Sequence, residues 1–193
     1  VDSATAPLII TQLLDKLGLS YQAHSEKAGI PAAQRLQAIM LEDSIGAMLL
    51  LFRHDQLLDL NQLEELTGRK LTVLKPERLA RMLSPHNLNT LPGLPPLTNS
   101  PCTYDESILQ EPSVWVESGK PGVLLELSSA DFKPLLTKAS CARFAEPLER
   151  IRINLDRPND DPAEINQAVK AFTARRIQQR LEETIEIPPL SAT

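Results

Sequence analysis

One uninterrupted apolar run, residues 47–52 (AMLLLF), constrains the fold more than any other feature of the sequence. A strand of this composition is stable when both of its faces are buried, as in the centre of a sheet that is covered on each side. The longest apolar stretches fall far short of the roughly 20 residues that a membrane-spanning helix needs. We therefore expect a central strand in a soluble domain and no association with a membrane.

Strand and helix signals alternate on both sides of this run. Apolar patterning and turn residues predict strands at residues 20–24, 36–41, 47–52, 71–74, 102–105, 114–117 and 123–127. Capping residues and apolar stripes predict helices at residues 7–17, 60–67, 76–83 and 129–136, and a long helix that begins at Pro162. Asp59 before the second helix and Gly68 after it are typical of an N-cap and a C-terminal stop. The sequence predicts an α+β domain.

The charge and the metal-binding residue types exclude two function classes. The chain carries 20 Lys and Arg against 25 Asp and Glu, a net charge of −5, which argues against a broad nucleic-acid surface, so any phosphate contact must be local. The two cysteines lack C-x-x-C spacing, and the three histidines lack the i,i+4 spacing of a zinc hydrolase. We expect no metal and no cofactor.

Three stretches of the sequence together carry a family resemblance. They are AMLLLFRHDQLLDLNQLEELTGRKLTVLKPERL, CTYDESIL and VWVESGKPGVLLEL. Their order within residues 36–136 resembles the YbaK/prolyl-tRNA-synthetase-associated editing domain, a family of aminoacyl-tRNA deacylases. The resemblance implies a mixed sheet bent into a partial barrel with flanking helices. It also implies a pocket for the mischarged aminoacyl end of a tRNA and ester hydrolysis without a metal.

Two departures from the family pattern bear on activity. The lysine that the family carries on the strand before the hairpin corresponds to Gln37, which can donate hydrogen bonds but has no charge. A charge-assisted contact is about twice as strong as a neutral one, so this replacement weakens an anchor for phosphate or ester. The glycine-rich loop of the family is reduced to a single glycine, Gly93, within NLNTLPGLPPL. We therefore expect reduced or absent hydrolysis.

The resemblance assigns roles to seven residues. Backbone amides near Gly93 and Gly119 would stabilise the developing oxyanion while water attacks the ester, and Lys120 or Gln37 would hold the phosphate or terminal ribose. Ser118, Gly122 and Asp105 complete the predicted ligand contacts.

All of these residues except Gly93 also have a purely structural interpretation. The segment SGKPG is equally typical of a tight hairpin turn with an exposed lysine, and Asp105 is also typical of a turn cap. Gln37 is either a pocket residue or an edge polar group, and His54 has no nucleophile at recognisable spacing.

The character of the chain changes after residue 146. A polar connector precedes the long helix, and the final residues IEIPPLSAT resemble the start of an HDOD domain, a helical regulatory module. We expect an editing-like domain at residues 1–146 and a connector at 147–193 that leads into an HDOD-type domain. The predicted function is aminoacyl-tRNA editing in the cytoplasm, with the aminoacylated 3′ end of tRNA or an aminoacyl ligand as partner. The alternative is a catalytically silent binding module that regulates the C-terminal domain in cis.

Overall fold

The computed structural model describes residues 4–26 and 29–147 and has the expected α+β architecture. The helices are α1 (Leu8–Lys16), α2 (Leu60–Thr67), α3 (Pro76–Leu83) and α4 (Ser129–Phe132). The strands are β1 (Gln22–Ser25), β2 (Leu36–Glu42), β3 (Ala47–Arg53), β4 (Gln56–Leu58), β5 (Thr72–Val73), β6 (Cys102–Asp105), β7 (Ser113–Glu117), β8 (Val123–Ser128), β9 (Ser140–Ala142) and β10 (Ala145–Pro147). Short 3₁₀ turns cover Ser84–His86, Pro95–Leu97, Glu106–Leu109 and Lys133–Leu136.

The strands form three sheets. A five-stranded mixed sheet has the order β5-β2-β3-β6-β9, in which β2 and β3 are antiparallel while β6 runs parallel to both β3 and β9. A three-stranded antiparallel sheet has the order β1-β8-β7, and β10 pairs with β4. The predicted mixed sheet is confirmed, and the partial barrel is better described as separate sheets, because the described strands do not form a closed barrel.

The central position of the apolar run is confirmed. Residues 48–52 of β3 are all buried, with Leu49 and Leu51 on one face and Leu50 and Phe52 on the other. The first face packs against α1 and the three-stranded sheet, and the second packs against α2 and Phe144. Both faces of the five-stranded sheet are therefore covered, as a continuous apolar strand requires.

The helix caps form at the residues that the sequence pattern indicates. The Asp59 side chain accepts a hydrogen bond from the Gln62 N–H at 3.1 Å, and α2 ends at Gly68 with φ 63°. Ser128 caps the Asp131 N–H at 3.0 Å, and the helix then tightens into a 3₁₀ turn at Pro134. Proline removes a backbone donor, which explains why regular α-helix ends there.

Some details of packing and sheet composition are not visible in the sequence pattern. The apolar residues Leu8 and Leu66 of the predicted helices are 71% and 54% exposed, because Ile10, Leu14 and Leu63 fill the inner helix faces. Strands β9 and β10 follow the last predicted strand, and neither they nor β4 is among the predicted strands. All three missed strands are only three residues long, so they carry little periodicity.

The chain divides into two units, Val1–Ala145 and Glu146–Thr193. The predicted connector helix and the stretch that resembles an HDOD domain lie outside the described residues. In the part that is described, no helix is both long enough and apolar enough to span a bilayer.

Candidate functional site

The hairpin between β7 and β8 closes on the segment SGKPG. The Val123 N–H donates to the Lys120 carbonyl at 3.1 Å, and Gly122 has φ 73°, the positive value that the third residue of a type II turn needs. Pro121 occupies the preceding turn position, where its fixed φ is favourable. The segment therefore forms the tight turn that its composition permits.

A loop comprising residues 88–93 packs against this hairpin, and we call their contact the loop–hairpin junction (residues 88–93 and 117–122). The Asn89 and Thr90 N–H groups both donate to the Gly119 carbonyl, at 2.9 and 3.2 Å. The Gly93 N–H donates to the Glu117 carbonyl at 3.1 Å. Two of the predicted site residues, Gly93 and Gly119, are thus brought together in one contact.

Close packing explains why both positions are glycine. A Cβ atom on Gly93 would lie 2.8 Å from the Val116 Cβ, and one on Gly119 would lie 2.6 Å from Leu88 Cδ2. Gly119 also has φ 86°, which residues with side chains rarely adopt. The side chain of Leu88 therefore covers Gly119 directly.

Two polar groups at the junction lack partners within the described residues. The Thr90 Oγ1 atom is buried and forms no hydrogen bond there, and the Gly119 N–H finds no acceptor in the same part of the chain. The two residues are neighbours through the hydrogen bond from Thr90 N–H to the Gly119 carbonyl. Unsatisfied buried groups are uncommon, and a water or ligand oxygen at this position would satisfy them. The sequence gives no signal for Thr90 or Leu88, and neither was predicted.

The remaining hairpin residues differ in their surroundings. Ser118 is fully buried, and its hydroxyl accepts from the Lys120 N–H at 3.3 Å, which supports the turn from inside. Lys120 is exposed, and it forms no ion pair with any described residue. Gly122 is also exposed, and its carbonyl accepts from the Glu26 N–H at 2.7 Å.

Gln37 does not join the junction. Successive residues of a strand point to opposite faces, so Gln37 shares a face of β2 with Ile39 and Leu41, which pack toward α2. Its amide nitrogen lies 2.8 Å from His54 Nδ1. Gly93 packs on the other side, against Val116. The expected convergence of Gln37 with Gly93 and Lys120 is therefore not formed.

Asp105 is held entirely by protein donors. It is 1% exposed, and its Oδ1 accepts from the N–H and the hydroxyl of Ser107 at 3.1 and 2.6 Å. Its Oδ2 accepts from the N–H groups of Phe144 and Ala145, both at 3.0 Å. The carboxylate caps the 3₁₀ turn after β6 and fixes the segment before β10, which agrees with the capping interpretation.

The guanidinium group of Arg35 lies beside the hairpin, and two carboxylates neutralise its charge. Arg35 forms ion pairs with Glu26 at 2.8 Å and with Glu117 at 3.1 Å. Partial burial alone would lower the pKa of Arg35, but its hydrogen bonds to these two carboxylates raise the pKa above its usual value. Because both carboxylates already occupy the guanidinium, Arg35 is poorly placed to attract a phosphate. Among residues 4–26 and 29–147, no group of three His, Cys, Asp or Glu side chains could hold a metal ion.

Known proteins share both the sequence pattern and the fold. The family model described as the aminoacyl-tRNA editing domain matches residues 17–135, more than half of the chain. No curated protein sequence matches significantly.

Three solved structures illustrate the likeness. A candidate signal transduction protein from Marinobacter aquaeolei VT8 is 31% identical with a TM-score of 0.71, and the match covers 94% of this chain but only 40% of that one. A candidate trans-editing enzyme for prolyl-tRNA synthetase is 26% identical with a TM-score of 0.53, covering 65% of this chain and 87% of that one. A hypothetical protein at 17% identity and TM-score 0.56, covering 71% of this chain and 99% of that one, shares the fold. The chain belongs to the aminoacyl-tRNA editing domain family.

Proposed function

We propose that this domain binds an aminoacyl ligand, the aminoacylated 3′ end of a tRNA, at the loop–hairpin junction and hydrolyses the ester slowly or not at all. Family membership and the trans-editing name of one structural relative support the ligand class. The arrangement of donors at the junction supports binding without efficient hydrolysis.

The observation that carries the proposal is the pair of unsatisfied groups at Thr90 and Gly119. A buried polar group without a partner costs about 1–3 kcal/mol, and a ligand oxygen would relieve that cost at both atoms. The Gly119 N–H can donate to an ester carbonyl or a ribose oxygen, and the Thr90 hydroxyl can donate or accept.

Three structural features oppose hydrolysis. An oxyanion hole needs preorganised donors aimed at the developing charge, but the Gly93 N–H already donates to the Glu117 carbonyl. Leu88 lies against Gly119 and restricts access on that side. Gln37 shares a face of β2 with Ile39 and Leu41, away from the junction, so it supplies no anchor there.

Binding is tested by titrating the protein with a 3′-amide analogue of an aminoacyl adenosine, which cannot be hydrolysed. We expect saturable binding that Thr90→Val weakens about tenfold, which is the value of one hydrogen bond near the upper end of the neutral range. Thr90→Ser keeps the hydroxyl and serves as the matched control. Thr90→Val should not lower the melting temperature, because it removes an unsatisfied group. Equal affinities of the wild type and Thr90→Val, or no binding across a panel of amino acids, would refute the proposal.

Catalysis is tested with a panel of mischarged tRNAs. We expect deacylation at the spontaneous rate for the wild type and for Gln37→Lys, because a lysine at position 37 lies on the wrong face of β2. Rapid turnover by either protein, reduced in the Thr90→Val variant, would show that the junction is catalytic and would overturn the second half of the proposal.

A second candidate function is a silent sensor that regulates a C-terminal module in cis. The relative named for signal transduction favours it, because this chain spans about two fifths of that protein and matches it over nearly its own whole length. The module would be of the HDOD type that residues 185–193 resemble. Deacylation at the spontaneous rate together with tight binding of free amino acids, rather than the tRNA-end analogue, would favour this function.

A further inference from the structure

An open groove of about 580 Å³ lies between the C-terminal end of α1, the segment 95–102 and residues 134–139. Its walls include Leu13, Leu17 and Leu135 and several prolines, and Leu17 is 44% exposed. Small-molecule sites have this size and are lined mainly by apolar side chains with a few polar groups. None of the lining residues belongs to the loop–hairpin junction, so the groove is separate from the proposed aminoacyl site.

The groove carries a single charged side chain. Lys138 lines it, is exposed and forms no ion pair with any described residue, and no Asp or Glu is among the lining residues. The whole chain has a net charge of −5, so the charge of the groove is opposite to that of the molecule. Asn99 also lines the groove, and it is exposed. These two side chains offer donors to an anion at the edge of an apolar wall.

We propose that this groove binds a free medium-chain carboxylic acid. Its aliphatic chain lies along Leu13, Leu17 and the prolines, and its carboxylate accepts hydrogen bonds from Lys138 and Asn99. The groove does not suit a zwitterionic amino acid, because no carboxylate lines it to receive an ammonium group. It also distinguishes the acid from an uncharged alcohol of equal length, since only the acid forms an ion pair with Lys138, in which both donor and acceptor are charged.

The probe is decanoate, titrated calorimetrically into the full chain below its micellar concentration. We expect saturable binding with one site, and affinities at least about fivefold lower for decanol and for decyltrimethylammonium. Lys138→Gln should weaken decanoate binding about tenfold, the value of one hydrogen bond to a charged group at the lower end of its range. Lys133→Gln is the matched control, because Lys133 is an exposed lysine nearby in sequence that does not line the groove.

The apolar wall is tested by a second matched pair. Leu17→Gln should weaken decanoate binding, whereas Leu8→Gln should not, since Leu8 is exposed on the same helix but outside the groove. All four positions are exposed, so the variants should melt at similar temperatures. The proposal is overturned if decanoate does not bind saturably, if decanol binds equally well, or if the two lysine variants have the same affinity.

Discussion

Replacing Asp105 with asparagine tests whether its carboxylate is structural. The substitution keeps the shape of the side chain but converts one acceptor oxygen into an NH₂ donor. In one orientation the NH₂ group faces the Phe144 and Ala145 N–H groups, both 3.0 Å from Oδ2. In the other it faces the Ser107 N–H, 3.1 Å from Oδ1, while the Ser107 hydroxyl can turn to accept.

Either orientation leaves at least one buried N–H group unpaired. Each such group costs about 1–3 kcal/mol, and the remaining bonds lose the assistance of the negative charge. We expect Asp105→Asn to lower the free energy of unfolding by about 2–4 kcal/mol, a large part of the 5–15 kcal/mol typical of a whole domain. Urea unfolding at pH 7, followed by circular dichroism, measures this difference.

The matched control is Asp131→Asn, at a partly exposed carboxylate that accepts from the Ser128 hydroxyl at 2.7 Å. It should cost less than about 1 kcal/mol, as is usual for one exposed capping contact. If Asp105→Asn were no more destabilising than Asp131→Asn, the structural role would be refuted. A loss of affinity for the aminoacyl analogue at unchanged stability would restore Asp105 as a ligand contact.

Three further predictions follow from single contacts. Gly119→Ala should lower the free energy of unfolding by about 2–4 kcal/mol, and Gly68→Ala by about 1–2 kcal/mol. Both glycines have positive φ, but only a Cβ atom at position 119 would collide with a neighbouring side chain. Equal losses in urea unfolding would contradict this. Hydrogen bonds from Arg69 hold the pKa of Asp43 below its ordinary value of 3.8. Arg69→Gln should therefore be destabilising at neutral pH, with a penalty that shrinks as pH falls below about 4, and a pH-independent penalty would count against the ion pair. Burial raises the pKa of Cys102 to about 12, so iodoacetamide at pH 8 should modify it only in denaturant; rapid modification of the native protein would be inconsistent with that burial.

Local signals predicted the elements that depend on neighbouring residues. Three such elements are the helix cap at Asp59, the helix stop at Gly68 and the turn at Pro121 and Gly122. Each depends on interactions within a few residues of the chain, so the residue types alone predict the local backbone geometry. Strand β9 has no such signal. It is stabilised by parallel pairing with β6, more than 30 residues earlier, and pairing at that distance leaves no mark in a three-residue segment.

The face of Gln37 illustrates a different limit. Both faces of β2 carry apolar residues, Leu36 and Met40 on one and Ile39 and Leu41 on the other, because both sides of the sheet are covered. Period-two patterning therefore fixes which residues share a face but not which face meets the hairpin. The resemblance suggested convergence at position 37, and only the tertiary structure shows that Gln37 lies opposite.

The junction connects stability with the proposed loss of hydrolysis. The Gly93 N–H, a candidate donor to an oxyanion, instead donates to the Glu117 carbonyl. The Gly119 carbonyl accepts hydrogen bonds from two further N–H groups of the same loop, those of Asn89 and Thr90. In the proposed complex these bonds would preorganise Thr90 and the Gly119 N–H, because the loop would not have to be ordered on binding. The same rigidity prevents Gly93 from supplying a second donor when charge develops. The proposed recognition without turnover rests on this arrangement, since the contacts that build the proposed binding position also engage the Gly93 N–H that catalysis would need.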